Sequence, residues 1–208
     1  IPIRVGKDGA AAEAPKTIMA GFKDTVEKHG ALIALEAADT YAGDVRPADE
    51  VLRTWTYQQY WDDVLTAGRA FMKLGLKPHQ SVNIIGFNSP EWILADMGCI
   101  AAGGIAAGMY TTNQPEACQY VASHSDAAVV VCQGKNQLDK LVAVQGELPS
   151  LSALVTYDYT PTDEDKAACK VPIYGWNEFM AMGTDDQDIQ GRIDAQKVGH
   201  CATLIYTS

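Results

Sequence analysis

Few residues in this chain have the types and spacing that chemistry needs. His124-Ser125-Asp126 names the three members of a hydrolytic triad in one run. Triad members converge from separate elements, whereas chain neighbours point apart, so this run is expected simply to end a helix. His200-Cys201 pairs two metal-ligating types, but one pair is not a site. The acidic run Pro161 to Lys166 (PTDEDK) would hold a cation only if further ligands converged on it. It is expected to be a solvated surface loop. Gly103, Gly104 and Gly108 lack the GxGxxG spacing of a dinucleotide turn and are expected to let a helix pack close to a strand. The remaining candidate is Thr207-Ser208, directly after the apolar run Ala202 to Tyr206. Hydroxyls at a strand end can donate to a phosphate. On their own, these two residues read as a polar chain end. No residue is assigned a catalytic role.

The elements that must position such residues are clearest between Ser81 and Cys132. Val82 to Phe87 is a short run rich in branched apolar residues, the mark of a buried strand. Asn88 or Ser89 can cap a helix with Pro90 in its first position and Glu91 at the positive end of its dipole. Trp92, Ile93, Met97 and Ile100 give that helix an apolar face, and Gly103-Gly104 end it. Ile105 to Tyr110 is the next strand. Asn113 can cap a second helix, with Pro115 in its first turn, running to about Ser123. Ala127 to Cys132 is the third strand. Strand, helix, strand, helix, strand with short connections predicts right-handed crossovers and a parallel sheet.

The flanks extend this rhythm. Thr17 caps a helix with Met19, Phe22 and Val26 on one side, and Gly30 is expected as its left-handed stop. Ala31 to Glu36 reads as a strand, and Asp39 to Glu50 as a polar loop. Thr56 and Gln59 form a capping box for a long helix with Tyr57, Trp61, Val64, Leu65, Phe71 and Met72 inward and Gly75 at its end. His79 is expected in a solvated loop. Asn136 is expected to cap a helix to Gln145, with Leu138, Leu141 and Val142 inward. Leu151 to Tyr157 is a fourth strand, Val171 to Trp176 a short extended piece, and Asn177 the cap of a small helix. Gly183 to Lys197 is polar with weak helical periodicity, and Ala202 to Tyr206 is a fifth strand. The class is α/β: a doubly wound, mostly parallel sheet with helices on both faces. Residues 1–16 read as a flexible tail and residues 17–208 as one large domain or part of one.

Composition narrows the function. Sixteen Lys and Arg stand against 26 Asp and Glu, a net charge of −10. Such a chain is a poor generic partner for nucleic acid or an anionic membrane. The five cysteines, at 99, 118, 132, 169 and 201, are scattered, odd in number and without a CxxC pair. They read as reduced, mostly buried thiols of a cytoplasmic protein. Ile93 to Tyr110 is the most apolar region, but Asp96 and four glycines interrupt it, so no transmembrane segment is expected. Ile1 to Lys16 lacks the apolar core of a secretory signal.

The runs GFNSPEW and AGGIAAGMYTTNQPEACQYV, extended backwards through TWTYQQY and forwards to TLIYTS, resemble the adenylate-forming (AMP-binding) superfamily. More narrowly, they resemble its long-chain acyl-CoA synthetases of the bubblegum type, over most of residues 17–208. The resemblance implies a ligase of lipid metabolism that uses ATP, Mg2+ and CoA to convert a long-chain fatty acid to its adenylate and then its thioester. It also implies that Tyr206-Thr207-Ser208 opens a Gly-, Ser- and Thr-rich loop, closed by a Lys, that cradles the ATP phosphates. Thr207 and Ser208 are the cofactor-binding residues carried over. The glycines and Lys of that loop, the adenine segment, the hinge and the domain bearing the catalytic Lys are not in this sequence. The first helix and strand would belong with a second sheet built from later residues.

Two expectations follow. Either the chain is the N-terminal portion of such a ligase, not competent by itself, or it is a catalytically silent structural or interaction module derived from one. In both, the isolated chain is expected to bind no ATP, because its phosphate loop is incomplete. The open sheet is expected to be covered by the remainder of the ligase or by another protein. An unrelated doubly wound dehydrogenase lacks its glycine fingerprint here. Peripheral membrane contact stays open, since the implied substrate is a lipid.

Overall fold

The computed structural model describes residues 3–38, 52–184 and 186–207. In chain order the regular elements are α1 (Ile18–His29), β1 (Ile33–Ala37), β2 (Arg53–Thr56), α2 (Tyr57–Lys73), β3 (Ser81–Ile85), α3 (Pro90–Ala101), β4 (Ile105–Met109), α4 (Pro115–His124), β5 (Ala127–Gln133), α5 (Gly134–Val144), β6 (Ala153–Tyr157), α6 (Asp163–Ala168), β7 (Ile173–Gly175), α7 (Trp176–Ala181), α8 (Ile189–Asp194) and β8 (Thr203–Ile205). Six strands form one sheet in the order β7-β6-β5-β3-β4-β8, and every neighbouring pair is parallel. β1 and β2 form a separate antiparallel pair. The α/β, doubly wound reading is what the structure shows.

Strand periodicity explains the two layers of core. Along β5, Val129 and Val131 join one cluster while Val130 and Cys132 join the other, as alternate side chains of a pleated strand must. The first face is covered by α1, α2, α3, α7 and α8 through Met19, Val64, Phe71, Cys99, Phe179 and Ile189. The second is covered by α4 and α5 through Cys118, Val121, Leu138, Leu141 and Val144. Helices α2 and α3 cross closely because small residues meet there. A Cβ on Gly98 would stand 2.7 Å from that of Ala67.

Local capping follows hydrogen-bond chemistry. The Thr17, Thr56 and Ser89 hydroxyls accept from Ala20, Gln59 and Trp92 N–H, and Gln59 completes the capping box by accepting from Thr56 N–H. Gly75 (φ +94) and Gly103 (φ +78) follow the ends of α2 and α3 in the left-handed region, where a Cβ would be strained.

Several expectations need correction. Gly30 is not a left-handed stop, since its φ is −50. On α3 the buried side is Leu94, Ala95, Gly98, Cys99, Ile100 and Ala101. Trp92, Ile93 and Met97 are half-buried at its margin, because the helix lies between the sheet and α2 and its small residues take the tight side. Gln114, not Asn113, is the N-cap of α4; α5 begins at Gly134 rather than after Asn136; and α7 begins at Trp176, before Asn177. Strand β2 was not anticipated. The expected loop Asp39 to Glu50 lies outside the described residues.

The largest correction concerns Pro161 to Lys166. Asp163–Ala168 is a helix, and Thr162 and Asp165 form its capping box. Asp165 is buried, accepting from the Tyr159 hydroxyl at 2.6 Å and pairing with Lys135 at 3.1 Å. The Tyr159 hydroxyl, with Thr162 N–H behind it, holds the Asp165 carboxyl well below the usual carboxylate range. A run that reads as uniformly solvated thus contains one carboxylate recruited inward to satisfy a helix start.

Candidate phosphate-binding end of the sheet

The crossover from β3 through α3 leads to β4 on one side of it, and the crossover from β5 through α5 leads to β6 on the other. Strand order therefore reverses between β3 and β5. In open α/β sheets, the crevice outside the carboxyl ends at that reversal is where ligands bind.

Three loops meet there and are tied together. Phe87 N–H donates to Gln133 Oε1 at 2.8 Å, and Gln133 Nε2 donates to Asp158 Oδ2 at 2.8 Å. Asp158 itself sits at φ +57. Burial raises the Tyr157 phenol to about 12, so its hydroxyl keeps its proton and reaches the Phe87 carbonyl at 3.5 Å. Gly86 is required by this closure: a Cβ there would lie 2.0 Å from the Tyr157 hydroxyl and 2.9 Å from Gln133 Cβ.

Clefts surround this knot. One of about 610 Å³ lies between β1–β2 and the start of α3, lined by Ala37, Arg53, Asn88, Glu91, Gln133 and Asp158. A second of about 760 Å³ shares Arg53, Glu91 and Asp158 and extends to Trp176 and Glu178. Arg53 Nη1 pairs with Glu91 Oε1 at 3.1 Å and so fastens β2 to the start of α3. A third cleft, of about 380 Å³, is lined by Gly86, Phe87, Asn88, Met109, Tyr110 and Thr111. Its outer loop is held by α5, where Lys140 Nζ donates to the Thr111 carbonyl at 2.8 Å.

Thr207 follows β8 and is exposed. It lies two residues past Ile205, which pairs with Gly108 on β4. Ser208 lies outside the described residues. The other sequence candidates bond to separate partners. The Ser125 hydroxyl bonds Ser81 and Asn83, His124 bonds Tyr206, and Asp126 accepts from Gln80 and Ser150, so no triad forms. His200 stands edge-on to His79, and the Cys201 thiol donates to the Thr203 carbonyl. Among the described residues no group of three His, Cys, Asp or Glu is placed to hold a metal. A Cβ on Gly104 would come within 2.8 Å of Cys99 Sγ, in line with its expected packing role. Gln133, Asp158 and the Arg53–Glu91 pair were missed in the sequence. The signal available for two of them was a polar residue closing or following an apolar strand, Gln133 at the end of β5 and Asp158 after β6.

Comparison with known proteins now bears on this geometry. The family model described as AMP-binding enzyme matches residues 22–208. Long-chain-fatty-acid–CoA ligase ACSBG2 of Xenopus laevis is 39% identical, over 100% of this chain and 26% of its own length. The human ligase ACSBG1 is 36% identical, over 99% of this chain and 27% of its own. The chain thus spans about a quarter of the curated relatives it matches. A mutant form of coronafacic acid ligase from Pectobacterium brasiliense shares the fold with a TM-score of 0.69 at 14% identity, covering 90% of this chain and 33% of that one. A doubly wound sheet with its clefts at the strand reversal, and a matching model over nearly the whole chain, place it in the AMP-binding, adenylate-forming enzyme family.

Proposed function

We propose that this chain is the N-terminal portion of an ATP-dependent long-chain fatty acid–CoA ligase. The observation that carries this reading is the 39% identity, running through the whole chain, to a relative named for that activity. The exposed Thr207, following the carboxyl end of a strand parallel to β4, supports it. In the proposed reaction a fatty carboxylate oxygen attacks the α-phosphorus of ATP, and pyrophosphate leaves. The thiolate of CoA then attacks the acyl carbon and releases AMP. Thr207 and Ser208 contribute donors to the ATP phosphates. Mg2+ accompanies ATP, and no described residue is assigned to it. The 208-residue chain supplies no residue for either chemical step and is inactive by itself. The thiols of Cys99, Cys118 and Cys132 are buried and free, and burial raises each above its ordinary range.

The test is pyrophosphate exchange into ATP, dependent on palmitate, in the full-length polypeptide and in the 208-residue chain. Exchange by the former and none by the latter is expected. A full-length polypeptide that binds ATP but shows no fatty-acid-dependent exchange would favour a catalytically silent module instead.

A further inference from the structure

Tyr206 immediately precedes the two residues assigned to phosphate, and its side chain does not point idly into solvent. Its hydroxyl and His124 Nδ1 are hydrogen-bonded at 2.8 Å across 82 residues of sequence. The His124 ring stacks on Tyr120, with centroids 5.6 Å apart and an interplanar angle of 21°. It also meets Tyr206 edge-on at 5.7 Å. The next residue, Ser125, joins a buried hydroxyl–amide cluster with Asn83 and Ser81 on β3. The end of edge strand β8 is therefore tied to the last turn of α4, and the residue after that turn is bonded to the central strand β3.

Strand β8 has little else to fix its exit. It is three residues long and pairs on one side with β4, and Ile205 is 81% exposed. Just past its last paired residue, the aromatic bracket on Tyr206 holds the backbone. We propose that His124 and Tyr206 are positioning residues for the phosphate-binding loop, setting the direction in which Thr207 and its backbone N–H leave the sheet. This deepens the ligase reading and rests on it. The bond lies near the surface, where one hydrogen bond contributes little to global stability, so its loss is expected to leave the fold intact while loosening the strand exit.

The test uses the full-length ligase and its His124→Ala, His124→Asn and Tyr206→Phe variants. Asn keeps a hydrogen-bonding atom near the Nδ1 position. His124→Ala and Tyr206→Phe are each expected to raise the KM for ATP about three- to tenfold, the equivalent of one hydrogen bond. The KM for fatty acid should be unchanged, and His124→Asn should restore most of the loss. The double variant should be no worse than either single one, because both remove the same contact. Amide hydrogen exchange over Thr203 to Thr207 should quicken in the two disruptive variants, with melting temperature unmoved. An unchanged ATP KM in an active enzyme, or unchanged exchange at these amides, overturns the proposal. If wild type lacks acid-dependent pyrophosphate exchange, the ligase reading fails. The amide measurement still decides whether His124 positions the strand exit.

Discussion

The two faces of the sheet handle buried polarity in opposite ways. On the face covered by α4 and α5, Asn83 is fully buried, yet its amide donates to the Ser125 hydroxyl at 2.9 Å and to Ser81 at 3.3 Å. Short side chains from β3 and the end of α4 satisfy one another there. On the face covered by α2 and α3, Asp96 is half-buried on α3, with no hydrogen bond or ion pair to another described residue. Burial pushes its carboxyl up to about 6. A neutral amide with two hydroxyls can close its own network, whereas a lone carboxylate on an aromatic-rich helix face is driven towards its protonated form. Polarity inside this fold is tolerated where partners are adjacent and carries a cost where they are not.

Three substitutions bear on that contrast. The largest effect is expected at the end of β3. Gly86→Ala would drive a methyl into the buried Tyr157 hydroxyl and Gln133, and overpacking of this kind typically costs 1–3 kcal/mol. Urea unfolding should show a loss of about 3 kcal/mol, and a neutral result would mean that the Tyr157 side of the fold yields more readily than its packing indicates. Next is Asn83→Ala, expected to destabilise by about 2 kcal/mol, since it strips partners from two buried hydroxyls. A loss below about 0.5 kcal/mol would show that the Ser81–Ser125 bond suffices alone, and the two faces would then differ less than they appear to.

The smallest effect is expected at Asp96, and it has the opposite sign. Its folded-state value lies above the ordinary 3.8, so the native state holds the proton more tightly than the unfolded chain. Stability therefore falls as pH rises from about 4 to about 6. Asp96→Asn should gain about 1–2 kcal/mol at pH 7.5 and nothing below pH 4, the roughly 3 kcal/mol of a two-unit shift being reduced by solvent screening of a half-buried group. A variant no more stable than wild type at pH 7.5 would remove the contrast between the faces.

How much of this was legible beforehand depends on the kind of signal. The central strands were readable because Val129 to Val131 and Ile84-Ile85 form branched runs too short for helices and buried on both sides. Thr56 with Gln59 marked α2 through a local bond that needs no tertiary partner. Asp165 was misread for the converse reason. Its inward turn depends on Tyr159 and on Lys135, the latter from a different helix, and the run around it is uniformly acidic. The carboxyl-end knot was hidden likewise, because Phe87, Gln133 and Asp158 are neighbours only once β3, β5 and β6 are side by side. Thr207 was reachable only through resemblance to a family, since two hydroxyls after a strand carry no signature of their own.

The place of β8 in the sheet has a consequence for synthesis on the ribosome. Strands β3 to β7 are all present once residue 175 has emerged, but Ala106 on β4 must wait for Thr203. At roughly 5–20 residues per second that wait lasts about 5–20 s. Throughout it, the outer edge of β4 offers unpaired N–H and C=O groups to any passing strand. The nascent chain is therefore open to misassociation at β4 from the emergence of that strand until Thr203 follows, and a chaperone that shields it would act at that edge.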